Sequence, residues 1–477
     1  MMTPQLFNDI ITVYPEILMT IFALTLIVID VVAGDKMKAS VGYFGIAFVA
    51  LVALLCPAGP FIGFNNMLIW DNFSYVFFLI FAMAYTLTTL GSIEYLKDKN
   101  MLKGEIYIVM FFSLIGMMFM VSANDLTIFY VGLETMAISM YVLAGFNKHC
   151  LKSNEAGVKY FLMGAFSSGI FLYGLSFIYG LTGSLTYTDI AAALQGHGSD
   201  SLGIKFGLLL MLVGFAFKIS AVPFHMWAPD VYTGSPTPIA GFMTVAPKAA
   251  AFGALIRFTW VAIAPASEQW TLFFTILAVL TMTYGNLVAL AQENVKRMLA
   301  YSAIAHAGYM LIGLVTMTPE GIRAITLYML IYSFMNIGAF TVISMLKNKG
   351  MIDDERIESF AGLSKKNPLV ALAMLLFMFS LAGIPPLAGF VGKFYIFIAA
   401  IKAEIYWLAI VGVLNSALAC YYYMRVTIFM YFKEPEYETE LTLKAPSFIA
   451  TFIAAVLVVL VGFFPSFFVN LVSSLTV

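Results

Sequence analysis

The stretch Lys218-Ile219-Ser220-Ala221-Val222-Pro223-Phe224-His225-Met226-Trp227-Ala228-Pro229-Asp230 closes an apolar run that begins near residue 202. A run of about 20 apolar residues is long enough to cross a membrane as a helix. This one carries a lysine, a proline and a histidine where a simple helix would run on. Pro223 has no amide hydrogen and its ring collides with the preceding turn, so the helix should break there. A second stretch repeats the pattern: Gly383-Ile384-Pro385-Pro386-Leu387-Ala388-Gly389-Phe390-Val391-Gly392-Lys393. Its apolar envelope, 368–400, is about 33 residues long, too much for one straight crossing of about 20. Unwound backbone is tolerated at membrane depth only where protein or a cavity covers it. Paired broken helices in two halves of a chain point to a transport site. Either break alone could be a packing kink, but a lysine lies within a turn or two of each.

The rest of the chain has the same character. Hydrophobic residues make up 62% of the 477 and charged residues 11%, against about a quarter charged in soluble domains. The apolar runs are continuous rather than alternating, which excludes a barrel. The sequence predicts an all-α polytopic membrane protein. Fourteen spans are expected: 11–33, 40–57, 73–95, 104–122, 126–145, 156–180, 202–226, 237–262, 270–291, 299–317, 321–346, 368–400, 405–431 and 447–472. The amino terminus lacks a basic region and a small-residue cleavage site, so the first run reads as a retained helix. Net charge is −1 without a basic cluster, so no nucleic-acid partner is expected. Cys56, Cys150 and Cys420 are dispersed and form no CxxC, so no zinc or iron–sulfur site is implied.

Loop charges test the count. Loops after odd-numbered spans carry sixteen basic residues: Lys36, Lys38, Lys97, Lys99, Lys103, Lys148, Lys152, Lys296, Arg297, Lys347, Lys349, Arg356, Lys365, Lys366, Lys433 and Lys444. Loops after even-numbered spans carry one, Lys402. That asymmetry is the positive-inside signature. It puts the odd loops in the cytoplasm and both termini outside. The long outer loop, about 181–201, has no membrane-like run, and neither it nor the charged inner loop 347–367 looks like a catalytic domain.

Charged groups at membrane depth are expensive and usually mark an ion or proton path, or a buried pair. Glu134 is the one charge in its span, and Lys218 is a cation able to pair with it. Lys248 lies mid-span among small residues in Ala246-Pro247-Lys248-Ala249-Ala250, with little chance of reaching either surface. Lys393 follows the second break. Lys159 is only a few residues inside its span, where snorkelling to the inner surface competes with a role in the row. His306, in Ala305-His306-Ala307-Gly308, is suited to relaying a proton between the two halves. His225 either titrates or hydrogen-bonds the backbone loosened by Pro223. His149 and His197 lie in loops. Lys205, Arg257, Arg323 and Arg425, near span ends, read as snorkelling. Ser139, Ser167, Ser168, Tyr232, Thr237, Ser302, Tyr328, Ser333 and Asn336 could lead internal water between the charges, although each alone is as readily a packing residue.

There is no Walker A sequence, Rossmann glycine fingerprint or haem-attachment CxxCH. The chain is therefore expected to be a secondary transporter or a passenger driven by another subunit. Its cargo would be protons, or a cation exchanged for protons. A third possibility is a spacer whose charges only hold helices together.

Several segments resemble a known family. They are Gly132-Leu133-Glu134, Gly157-Val158-Lys159-Tyr160-Phe161, Phe217-Lys218 through Tyr232, Ala246-Pro247-Lys248-Ala249 and Leu381-Ala382-Gly383-Ile384-Pro385-Pro386-Leu387-Ala388-Gly389-Phe390. They look like the antiporter-like subunits of the bacterial proton-pumping NADH:quinone oxidoreductase, respiratory complex I, with the subunit N branch (mitochondrial subunit 2) nearest. The resemblance covers the whole chain, and the seventh-span segment is its most specific part. It implies fourteen helices with two inverted five-helix repeats, discontinuous at helices 7 and 12. The corresponding divisions are a three-helix segment 1–103, repeats 104–262 and 270–431, and a last helix 432–477. It implies proton-translocating roles for Glu134, Lys159, Lys218, Lys248 and Lys393, with helix breaks at Pro223, His225, Pro385 and Pro386. Lysine rather than glutamate at 393 separates the chain from subunit M, and the lack of a long lateral helix separates it from subunit L. Subunits M and K are the implied neighbours in a bacterial inner membrane. NADH, FMN, iron–sulfur clusters and quinone are implied to bind elsewhere in the complex, and none to this chain.

Overall fold

The computed structural model describes residues 4–34, 37–57, 59–195, 201–349, 355–435, 438–473 and 475. His197, Lys36 and parts of both long loops, 196–200 and 350–354, lie outside the described residues. The chain begins with α1 (Pro4–Ala33) and α2 (Lys38–Leu55). A short hairpin, β1 (Phe61–Gly63) and β2 (Leu68–Trp70), leads to α3 (Asn72–Asp98). Then come α4 (Gly104–Ser122), α5 (Leu126–Ala144), α6 (Leu151–Thr182), α7 (Tyr187–Gln195), α8 (Leu202–Lys218), α9 (Trp227–Gly234) and α10 (Thr237–Arg257). The second half holds α11 (Ser267–Leu290), α12 (Val295–Val315), α13 (Pro319–Met345), α14 (Leu363–Lys366), α15 (Pro368–Ala382), α16 (Ala388–Lys402) and α17 (Tyr406–Phe432). α18 (Ala445–Phe463) and α19 (Pro465–Ser473) end the chain. At the opposite end of the bundle from the hairpin, β3 (Leu346–Lys349) pairs antiparallel with β4 (Glu438–Leu441). These two features name the hairpin end and the ribbon end.

Twelve of the described helices are long and apolar enough to cross a membrane. The seventh and twelfth spans, expected to break, are each two shorter helices, α8 with α9 and α15 with α16. The seventh reaches further than the sequence suggested. Its second half runs to Gly234, because Pro229 sits in the first turn of α9, where a missing amide costs nothing. The sixth span is longer too, because Gly183 closes it in the left-handed conformation. The outer loop after it contains α7, and Lys296 and Arg297, read as loop residues, lie in the first turn of α12.

The starts of the helices are encoded locally. Asp71 accepts from the Ser74 amide at α3, Asp125 from Thr127 at α5, and Asn294 from Arg297 at α12. Such caps satisfy amides that a helix leaves without partners.

The two halves pack alike. α4 lies on α5 as α11 lies on α12, α6 contacts α8 and α9 as α13 contacts α15 and α16, and α10 returns to α4 as α17 returns to α11. In each half the first two of these helices meet closely at a glycine. A Cβ on Gly116 would sit 2.5 Å from the Met136 amide nitrogen, and one on Gly285 2.7 Å from that of Ala305. Without a hydrophobic drive between helices in lipid, such close contact is what holds them together. α10 and α13 form the centre and are buried throughout their most apolar windows. They carry Lys248 and Tyr328 into the interior.

Candidate functional site

Lys218 is the last residue of α8, where a cation faces the negative end of a helix. The backbone then leaves the helix through Ser220, at φ 61°, and a cis Val222–Pro223 bond. The break is covered by protein. The Val222 amide donates to Thr281 Oγ1 of α11 at 3.0 Å, and Trp227 Nε1 donates to the Phe217 carbonyl at 3.1 Å. The Trp227 ring stacks on Tyr160 with centroids 4.5 Å apart. His225 presents its ring edge-on to Tyr284, and its Nδ1 has no hydrogen-bond partner.

Glu134 and Lys218 do not form the direct ion pair that their charges suggested. Glu134 Oε1 accepts from Ser168 Oγ at 2.5 Å, while Lys218 Nζ is buried without a hydrogen-bond partner. The physical reason is the register of α6, whose Ser167 and Ser168 face the space between them. Ser167, Ser168 and Lys218 line a void of about 10 Å³, the least that can hold a water. The Ser167 hydroxyl also lacks a partner there.

Lys159 does not snorkel free. It bonds Asp230 of α9, which also takes Arg297 Nη1 at 2.9 Å. The three line a cleft of about 270 Å³ at the ribbon end. Beside it, a polar cleft of about 180 Å³ reaches Lys296. That lysine is 2% exposed and donates to the Ser235 carbonyl at 2.6 Å and Glu355 Oε1 at 3.0 Å. Thr237 Oγ1 donates to the same carboxylate oxygen at 2.6 Å.

Lys248, 1% exposed, crosses between the halves. Its Nζ donates to the Ala303 carbonyl of α12 at 2.7 Å and lies 5.9 Å from the Tyr232 ring centre. One turn on, His306 is held at both nitrogens, Nδ1 2.6 Å from Tyr328 Oη and Nε2 3.0 Å from Tyr423 Oη. Tyr423 also meets Ser302 Oγ at 2.5 Å. Lys393 completes the row on α16. Its Nζ donates to the carbonyls of Leu381 (3.0 Å) and Ala382 (2.9 Å) and to Ser416 Oγ (2.8 Å), and lies 4.9 Å from the Tyr309 ring centre. The second break, with a cis Pro385–Pro386 bond, lies between these partners. Gly389 N donates across it to Ser380 Oγ at 2.9 Å.

The arrangement thus strings Glu134, Lys218, Lys248, His306 and Lys393 through the bundle, with Lys159 in a charge cluster at one end. Of the hydroxyl and amide residues considered, Ser168, Thr237, Ser302 and Tyr328 contact charged or titratable groups directly or through Tyr423. Ser139 and Ser333 only bond their own helices, and Asn336 bonds Thr244. The sequence reading missed Asp230, Arg297, Lys296, Glu355, Tyr423 and Ser416. Arg257, read as snorkelling, is buried and bonds both oxygens of Asp71 at 3.0 and 2.9 Å. Arg425 bonds the Leu290 and Gln292 carbonyls, capping the end of α11.

Residues 123–419 match the family profile described as NADH:quinone oxidoreductase/Mrp antiporter, TM. NADH-quinone oxidoreductase subunit N of Trichlorobacter lovleyi is 46% identical, covering 97% of this chain and 96% of that protein. The Rhodospirillum rubrum protein of the same name is 43% identical over 88% and 87% of the two chains. Among solved structures, a chain of respiratory complex I from Thermus thermophilus, with aureothin bound, superposes with a TM-score of 0.79 at 32% identity, covering 96% of this chain and 98% of that one. The chain belongs to the NADH-quinone oxidoreductase subunit N family.

Proposed function

We propose that this chain is the membrane-arm subunit of NADH:quinone oxidoreductase that translocates protons, driven by electron transfer from NADH to quinone in other subunits. The observation that carries the reading is the row itself. Three lysines buried in one bundle each face a helix break, a break's partner carbonyls or the opposite half. A lysine at membrane depth costs about 2.5–3.5 kcal/mol on insertion scales. Apolar residues would pack the same helices without that cost.

Protons enter at the ribbon end, where the Lys159–Asp230–Arg297 cluster and the Lys296–Glu355 pair line two clefts. Glu134 acts on Lys218 through Ser168 and one water in the intervening void. Contact is not required for coupling. Unit charges about 8 Å apart at an effective dielectric of about 20 interact by about 2 kcal/mol, enough to change a protonation ratio about 30-fold. A change in charge at Glu134 therefore alters how Lys218 holds its proton. Lys248 hands the proton to the second half, where His306 between two tyrosine hydroxyls bridges toward Lys393.

In this reading the chain crosses the bacterial inner membrane fourteen times, counting each broken pair as one crossing. The ribbon end is cytoplasmic, and both termini are periplasmic. Segments 104–262 and 270–431 are the two repeats. Five crossings each make them inverted, flanked by the three-helix segment 1–103 and the last helix 432–477. Subunits K and M are the neighbours. The chain itself holds no NADH, FMN, iron–sulfur cluster or quinone.

The test compares complexes carrying Lys218→Ala, Lys248→Ala and Lys393→Ala together with the unaltered complex in sealed vesicles. The reading expects assembly and residual NADH oxidation with a reduced proton-to-electron ratio. Cation-dependent proton flux from the chain reconstituted alone would favour a stand-alone antiporter. Undiminished pumping without the three lysines would favour a spacer.

A further inference from the structure

Lys393 Nζ stands in a cage of three oxygens: the carbonyls of Leu381 and Ala382, and Ser416 Oγ. Among the described residues these are its hydrogen-bond partners. An ammonium has three N–H donors and no acceptor, so the cage takes all three. Loss of a proton reverses one of those needs. The amine keeps two N–H groups and gains an electron pair that has to accept. A carbonyl cannot donate to it. Ser416 can, because a hydroxyl both donates and accepts and its hydrogen rotates.

The geometry gives that hydrogen a place in either state. Ser416 Oγ lies 2.8 Å from Nζ and 3.1 Å from the Ala382 carbonyl oxygen. Beside the ammonium, the hydroxyl accepts from Nζ and donates to Ala382. Beside the amine, it turns to donate to Nζ, and the Ala382 carbonyl keeps an N–H of the lysine. Both lysine forms therefore leave every polar atom of the cluster with a partner. That matters because Leu381, Ala382 and Lys393 are all buried, and an unmet buried polar atom is costly. Other lysines of the row have no such cage. Lys248 Nζ donates to one carbonyl, and Lys218 Nζ has no partner.

We propose that Ser416 is the proton-exchange partner of Lys393, the side chain that lets this buried lysine exist both as ammonium and as amine. When Lys393 releases its proton, one N–H bond breaks, the electron pair stays on Nζ and the proton passes to a water molecule. The Ser416 O–H turns from Ala382 to that electron pair. Uptake runs the same steps in reverse. Without the hydroxyl only the two carbonyls remain, and both favour the ammonium. Lys393 then keeps its proton, as an arginine would. The proposal rests on the proton-pumping reading above.

The test measures the proton-to-electron ratio of whole complexes in sealed vesicles carrying Ser416→Ala, Ser416→Thr or Lys393→Arg. Ser416→Ala should assemble and pass electrons with the ratio lowered as far as in Lys393→Arg, since each leaves a permanent cation. Ser416→Thr, which keeps the hydroxyl, should restore the ratio. A serine that only ties α17 to the break would change the melting temperature and leave the ratio alone. A Ser416→Ala ratio equal to the unaltered complex, with Lys393→Arg lowered, therefore overturns the proposal and leaves the pumping reading standing. A loss in Ser416→Thr as deep as in Ser416→Ala overturns it too. Unchanged ratios in both Ser416→Ala and Lys393→Arg overturn the proposal and the pumping reading together. Should Ser416→Ala fail to assemble, Ser416→Cys decides. Its thiol is a weaker donor, so a ratio between those of the unaltered and Lys393→Arg complexes is expected, and an unaltered ratio overturns the proposal.

Discussion

Lys393 Nζ donates to the carbonyl of Ala382 at 2.9 Å, although a helix break separates the two residues. The lysine on the second half of the twelfth span thus caps the first half, whose last carbonyls have no helical partners. Lys218 occupies the last turn of α8 in the first half of the chain. Both breaks therefore place a cation beside the negative end of a helix. The two lysines differ in their partners, since Lys393 is fully engaged and Lys218 Nζ has none. The Lys393 site, with three oxygen acceptors around Nζ, is already built for a charge.

Lys393→Ala should accordingly harm both structure and flux. Removing the donor leaves the Leu381 carbonyl without its lysine, at about 1–3 kcal/mol, while the Ala382 carbonyl keeps Ser416 Oγ at 3.1 Å. The expected outcome is a lower melting temperature of the assembled complex together with a lower proton-to-electron ratio. Lys393→Arg should recover the melting temperature more fully than the ratio, because guanidinium keeps its proton.

Coupling between Glu134 and Lys218 is testable through the residue that joins them. A hydrogen bond to a charged acceptor contributes about 1.5–3 kcal/mol. Ser168→Ala should lower proton flux several-fold, by less than Glu134→Gln. The double variant Glu134→Gln/Lys218→Ala should be little worse than either single one, since both interrupt one interaction. Fully additive losses in flux, at matched assembly, would contradict the coupling.

Arg257 gives a contrasting case. It bonds Asp71, Ser74 and the Val121 carbonyl, joining α10 to α3 and α4. Breaking one partner of a buried pair costs about 3–5 kcal/mol. Arg257→Ala should reduce the amount of assembled complex, and what assembles should pump with a normal ratio. Normal assembly of Arg257→Ala would show that the pair is not structural.

Topology can be checked separately with single cysteines in a chain freed of its own three. Lys366→Cys should react with an impermeant thiol reagent only from the cytoplasm, and Ser184→Cys only from outside. Labelling of both from one side would invalidate the assigned orientation.

The breaks and the lysines were legible because their determinants are local. Pro223 lies five residues after Lys218, and Pro385–Pro386 lies a turn or two before Lys393. The apolar runs likewise gave the helices and most of their order. Partners were not legible, because they are set by packing between distant segments. Asp230 meets Lys159 across 71 residues, and Tyr423 meets His306 across 117. Lys296 counted as a loop charge because it follows Asn294, yet that asparagine caps α12 and draws the lysine inside. Position near a span end made Arg257 look exposed, since nothing in the local sequence signals Asp71. Glu134 and Lys218 were paired on charge alone, and the serines of α6 that separate them could not be placed without the register of that helix.

The proposed proton route through the centre of the bundle rests most directly on Lys248, which joins α10 to α12 without a carboxylate partner. The decisive measurement is the proton-to-electron ratio of Lys248→Ala complexes in sealed vesicles, with proton uptake and NADH oxidation recorded together. The account predicts a normal amount of complex and a reduced ratio, with turnover only partly lowered where other subunits still pump. A ratio and turnover equal to those of the unaltered complex would contradict it.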